Sequence, residues 1–152
     1  MKGLKNIFIE GTAKAPQVDF NGLTGELILS GRSIPENAAK LYEPLFDWVN
    51  EYISSPAEVT NFRLNLVYFN TASTIWISKI IRVLSRINKP ESVLFIHLYI
   101  DIDDSESIDE DEVRDIIGSL TDNINETSMS FGVKIHAVDE TGKVVRESLV
   151  FI

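Results

Sequence analysis

The stretch from Phe62 to Ile100 constrains the fold more than any other part of the chain. Phe62-Arg63-Leu64-Asn65-Leu66-Val67-Tyr68-Phe69 is strongly β-prone and becomes continuously apolar at its end, the pattern of a central strand. The period then changes. Ile77, Ile80, Ile81, Leu84 and Ile87 recur at helical spacing until Asn88 and Pro90 stop them, and Val93 to Ile100 returns to a buried-strand run. A strand–helix–strand unit needs a crossover, so part of the sheet has to be parallel.

The flanks extend this unit. Ile7-Phe8-Ile9, Gln17 to Phe20 and Glu26 to Ser30 read as short strands, the last two joined across Asn21-Gly22 and the third closed by Gly31. Ala38, Leu41, Tyr42, Leu45, Val49, Tyr52 and Ile53 fall on one helical face. Either Ser33 or Asn37 can cap that helix, Pro35 is tolerated only in a first turn, and Pro44 inside the pattern predicts a kink or two abutting helices. A helix is expected from about Glu110 to Leu120, with Val113, Ile116, Ile117 and Leu120 inward. A hairpin is expected over about 131–151 around Asp139-Glu140-Thr141-Gly142. The predicted order β-β-β-α-β-α-β-α-β-β is an α/β sandwich with a mixed sheet. No linker or repeat divides the 152 residues, so one domain is expected, with its core at about 7–120.

Composition narrows the function. The chain has no cysteine, which removes disulfides, thiolate nucleophiles and cysteine metal sites and agrees with a reducing compartment. Neither a signal peptide nor a membrane span is visible, so a cytoplasmic protein without membrane insertion is expected. Of the net charge of −9, the segment Asp101 to Asp115 carries −8. With no excess of Lys and Arg to track phosphates, nucleic-acid binding is disfavoured. The glycines are scattered singly, so no phosphate-binding loop and no cofactor is expected.

Between the central strand and its helix stands Tyr68-Phe69-Asn70-Thr71-Ala72-Ser73-Thr74. A hydroxyl there meets a helix N-terminus, where free amides and the positive dipole end favour an added phosphate. The plainer alternative is that Thr71 or Ser73 merely caps the helix.

Three motifs decide how this junction is read. Ser33-Ile34-Pro35-Glu36-Asn37, then Tyr42-Glu43-Pro44-Leu45-Phe46-Asp47-Trp48-Val49, then Tyr68 to Ser73 together resemble the SiaC family of regulatory phosphoproteins. Ile9-Glu10-Gly11-Thr12 with Pro16, and Leu29-Ser30-Gly31-Arg32, are similar to it as well. The resemblance runs from about Ile9 to the acidic segment. It implies a STAS-like fold, as in anti-sigma-factor antagonists, here with an added C-terminal hairpin. It also implies a non-catalytic partner switch. The Thr of the Asn-Thr motif, Thr71, would be phosphorylated by a histidine-kinase-like ATPase and dephosphorylated by a PP2C-type phosphatase. The effector implied is one such as a diguanylate cyclase, linking the chain to cyclic di-GMP. Ala72 stands where the family often has a second small hydroxyl residue, and His97-Leu98-Tyr99 replaces a more aromatic run.

Ser73 is the second choice of acceptor. Asn70, Ser73, Trp76, Lys79, Arg82, Pro35, Glu36 and Asn37 are the expected partner-binding residues. Trp76 stands off the apolar spacing of its helix and is the better candidate for an exposed contact than Trp48. Lys79, Arg82, Arg86 and Lys89 form a basic stripe that is either a docking face for an acidic partner or a solvated one. Asp101 to Glu106 with Glu112 partly imitates a calcium loop, but Glu106 stands where the turn glycine belongs, so no metal site is expected. His97 and His136 read as strand positions, and Asn125-Glu126-Thr127 is an acceptor sequence without meaning unless secreted. Two other functions remain open: a small α/β enzyme using acidic-segment carboxylates, and an unphosphorylated scaffold.

Overall fold

The computed structural model describes residues 4–101, 110–121, 124 and 129–151. Seven strands form one sheet: β1 (Ile7–Ile9), β2 (Gln17–Asn21), β3 (Glu26–Ser33), β4 (Val59–Phe69), β5 (Val93–Asp101), β6 (Ser130–Val138) and β7 (Val144–Phe151). Three helices connect them: α1 (Ala38–Tyr52) after β3, α2 (Thr71–Leu84) after β4 and α3 (Glu110–Thr121) after β5. Strand order equals chain order. β3 to β6 are parallel, and antiparallel pairs close both edges.

That order explains the layers. Each parallel step leads to the next strand in the same direction, and crossovers of a single hand put all three helices on one face. α1 packs on α2 and α2 on α3. Val18, Phe20, Leu27, Leu29, Phe62, Leu64, Ile96, Leu98 and Val133 point under the helices and are at most 3% exposed. They meet Tyr42, Leu45, Val49, Tyr52, Ile77, Ile80, Ile81 and Leu84 from α1 and α2. Burying a side chain of this size contributes about 1.5–3 kcal/mol, so this layer carries most of the stability. The alternation of inward and outward residues in β4 is the period of two expected of a strand covered on one side.

Several details differ from the sequence reading. Gly31 does not end β3; with φ +105 it forms a bulge, and the strand runs on to Ser33. Asn37, not Ser33, caps α1, its side chain accepting from the Lys40 amide at 3.2 Å. Pro44 lies within one continuous helix, so two abutting helices do not occur. It faces outward, where water can satisfy the carbonyl it leaves unbonded. The second helix stops at Leu84, capped by Ser85, and so is shorter than its apolar spacing suggested. The apolar end of β4 is only partly buried: Leu66 is buried, but Val67 and Tyr68, beyond the last β5 pair at Leu64, are 66% and 57% exposed. Ile116 and Ile117 of α3 are half-buried and Leu120 is buried; the side chain of Val113 lies outside the described residues.

Candidate functional site

Only Asn70 separates β4 from α2. Its backbone is extended, and its side-chain oxygen accepts from the Ser73 amide at 2.9 Å. Its carbonyl starts the helix by accepting from the Thr74 amide at 3.0 Å, and its own amide donates to the Ser33 carbonyl at 3.0 Å. Asn70 is therefore an N-cap tied to the neighbouring strand. Thr71 becomes the first helical residue and is exposed. No acidic residue stands in the first turn of α2, so its positive end is not neutralised from within the helix.

Beneath Thr71 the three motifs converge. Ser33, Tyr42 and Ser73 are each 0% exposed. Ser33 Oγ lies 2.5 Å from the Tyr42 hydroxyl and 2.7 Å from Ser73 Oγ, and Ser73 Oγ also donates to the Ser33 carbonyl at 2.9 Å. One direction uses every proton: Tyr42 O–H donates to Ser33 Oγ, Ser33 O–H to Ser73 Oγ, and Ser73 O–H to the Ser33 carbonyl. Burial pushes the Tyr42 phenol up from its ordinary value, against the opposing pull of Ser33 and Ser73, so it stays protonated and able to donate. This chain pins α1, β3 and α2 to one another two residues from Thr71.

The other expected residues divide. Ser73 is a buried strut, and its hydroxyl is occupied, so neither a modifying enzyme nor a partner reaches it in this structure. Pro35 is half-buried beside the junction; Glu36 is exposed and pairs with Lys14 at 3.3 Å, while Asn37 is exposed and used as the α1 cap. Trp76 is not a free contact: it is half-buried, edge-on to Phe46 at 6.1 Å, with Lys79 Nζ 4.6 Å from its ring. The exposed apolar residue of that helix is Ile75, at 52%. Trp48 is buried and donates to the Lys5 carbonyl. The basic stripe is broken, because Arg86 and Lys89 follow the end of α2. Arg82 lies in its last turn, about 16 Å along the axis from Thr71.

On the sheet face opposite the helices, sequence reasoning missed a second cluster. His97 and His136 are 3% and 6% exposed, with His97 Nδ1 2.9 Å from His136 Nε2. His97 Nε2 meets the Asn61 side chain at 2.7 Å, and His136 Nδ1 meets Glu147 at 3.1 Å. Arg63 donates to Glu26 at 2.6 Å and to the Tyr99 hydroxyl at 2.8 Å, and Tyr99 stacks on His136. Desolvation, then the Arg63, His136 and Lys134 charges, lower the His97 pKa to about 3. Desolvation also lowers that of His136, against the opposing pull of Glu147. The alternation of β5 places His97 on this face, but the pairing needs the β5–β6 register.

Among the described residues no group of three or more His, Asp or Glu could hold a metal ion, and no helix is long and apolar enough to cross a membrane. The calcium-like segment beyond Asp101 and the Asn125-Glu126-Thr127 sequence lie outside the described residues or have side chains that do; of the carboxylates of the enzyme alternative only Asp115 is described, and it is exposed.

Comparison with known proteins bears on the family and the fold. The family profile described as "SiaC family regulatory phosphoprotein" matches residues 9–127. An uncharacterised protein of Pseudomonas aeruginosa (strain UCBPP-PA14) is 30% identical over 70 residues, which is 46% of this chain and 56% of that relative. The chain thus spans little more than half the length of that curated relative. In fold, the chain is similar to apo-SiaC from Pseudomonas aeruginosa, with a TM-score of 0.64 at 21% identity over 85% of this chain and 98% of that one. It is also similar to a chain in the crystal structure of the diguanylate cyclase SiaD in complex with its activator SiaC, from the same organism. There the TM-score is 0.66 at 21% identity, over 86% and 99% of the two chains.

Proposed function

The chain belongs to the SiaC family of regulatory phosphoproteins, and from that premise we propose that it is a non-catalytic cytoplasmic switch whose state is set by phosphate on Thr71. The observation that carries the reading is the placement of Thr71: exposed, at the positive end of α2, on a junction held by hydrogen bonds from two other elements. A phosphate added there gains about two negative charges and three acceptor oxygens beside free helix amides. It changes what the surface accepts without disturbing the core.

The burial of Ser73 favours Thr71 over it as acceptor. The surface that reads the modification comprises Thr71 with exposed Tyr68 and Ile75, and extends to Glu36 and Asn37. A kinase of the histidine-kinase-like ATPase type adds the phosphate, and a PP2C-type phosphatase removes it. The effector is a diguanylate cyclase, a reading supported by the likeness of fold to SiaC, whose complex with SiaD is that of an activator with a cyclase.

Intact-mass spectrometry after incubation with such a kinase and ATP tests this. A gain of about 80 Da on the wild type, absent from Thr71→Ala, is expected. The same gain on Thr71→Ala, or none on the wild type with a kinase active on its own substrate, would refute it.

A further inference from the structure

Packing alone does not explain why residue 42 carries a hydroxyl. A phenylalanine would fill the same space, and burying a phenol is unfavourable unless its O–H is satisfied. Tyr42 is fully buried, and its O–H is the head of the chain that runs through Ser33 to Ser73. Ser33 is the last residue of β3 and Ser73 the third of α2. The phenol therefore fixes, through one intermediate, the first turn of the helix that presents Thr71.

We propose that Tyr42 is a positioning residue for phosphoryl transfer to Thr71. This rests on the reading of Thr71 as the acceptor. Without the phenol, Ser33 Oγ loses its donor and Ser73 loses a fixed neighbour, so the first turn of α2 can shift against β3. Displacement of a reacting group by about 1 Å costs up to about a hundredfold in rate when geometry governs the step. A second buried phenol supplies the control: Tyr52 bonds Thr60 at 2.7 Å, away from the Ser33–Ser73 chain.

The experiment times phosphorylation of the wild type, Tyr42→Phe, Ser33→Ala, Ser73→Ala and Tyr52→Phe by a kinase of the proposed type, with kcat and KM measured separately. Circular dichroism and Tm establish that each variant is folded. The expected result is at least about a fivefold fall in kcat for Tyr42→Phe with KM nearly unchanged, and wild-type rates for Tyr52→Phe. Tyr42→Phe combined with Ser73→Ala should be no slower than the slower single variant, as for members of one chain. If Tyr42→Phe does not fold, the test passes to Ser33→Ala, which breaks the same chain from β3 and is expected to show the same fall. Unchanged kcat in the folded variants, or equal slowing by Tyr52→Phe, overturns the proposal alone. A wild-type chain that takes no phosphate overturns the reading beneath it as well.

Discussion

Mild acid should destabilise this protein through His97, and the size of the effect follows from the surroundings of that ring. His97 is buried against Asn61 and His136, and Arg63, with Glu26 and Tyr99 behind it, faces the same cluster. Lys134 adds positive charge from β6, and Glu147 adds negative charge beyond His136. With the folded pKa lowered to about 3, the native ring binds almost no proton at pH 5.5, whereas the ring in an unfolded chain titrates near 6.5. The unfolded state holds more protons, so stability is fully present above about pH 6.5 and falls as pH drops towards 3. Between pH 7.5 and 5.5 the unfolded ring goes from roughly a tenth to nine-tenths protonated, which removes about 1.4 kcal/mol. Any folded pKa below about 4.5 gives nearly the same figure. Urea unfolding of the wild type and His97→Gln at both pH values is the assay. The wild type should lose about 1.4 kcal/mol more than the variant. Equal losses in the two proteins would show that His97 is not held neutral by the fold.

Two further substitutions probe the frame. Asn70→Ala removes the side chain that accepts from the Ser73 amide and should cost about 1 kcal/mol in urea unfolding. Gly25→Ala should cost about 2–3 kcal/mol, read in the same way, since residue 25 has φ +75 and an added Cβ would run into the Val59 carbonyl.

The elements were legible because their periods differ. The alternation of Phe62, Leu64 and Leu66 and the helical spacing of Ile77, Ile80 and Leu84 each mark one buried face, and the structure buries those faces. Boundaries were less legible where one residue type serves two purposes. Gly31 looks like a stop in the sequence but makes a bulge, because a positive φ suits both. Ser33 looks like a cap but ends as a buried strut, since a short hydroxyl serves a helix start and a polar core equally well. Of the candidate site, the place of Thr71 between strand and helix was visible, but its choice as acceptor over a plain cap came from the resemblance of the three motifs to the SiaC family. The chain from Tyr42 through Ser33 to Ser73 was not visible, because its members lie nine and forty residues apart and meet only once β3, α1 and α2 have packed. The half-burial of Trp76 was not legible, because its helical phase says nothing of Phe46, which arrives from another helix.

An unbroken strand order also has a mechanical consequence. β1 and β7 are the outermost strands, six spacings apart, or about 29 Å. Tethers attached beyond them leave from opposite flanks, clear of the mouth where β4 meets α2. Tension between such tethers peels the antiparallel borders first, so the middle strand, with the threonine at its tip, is the last to part.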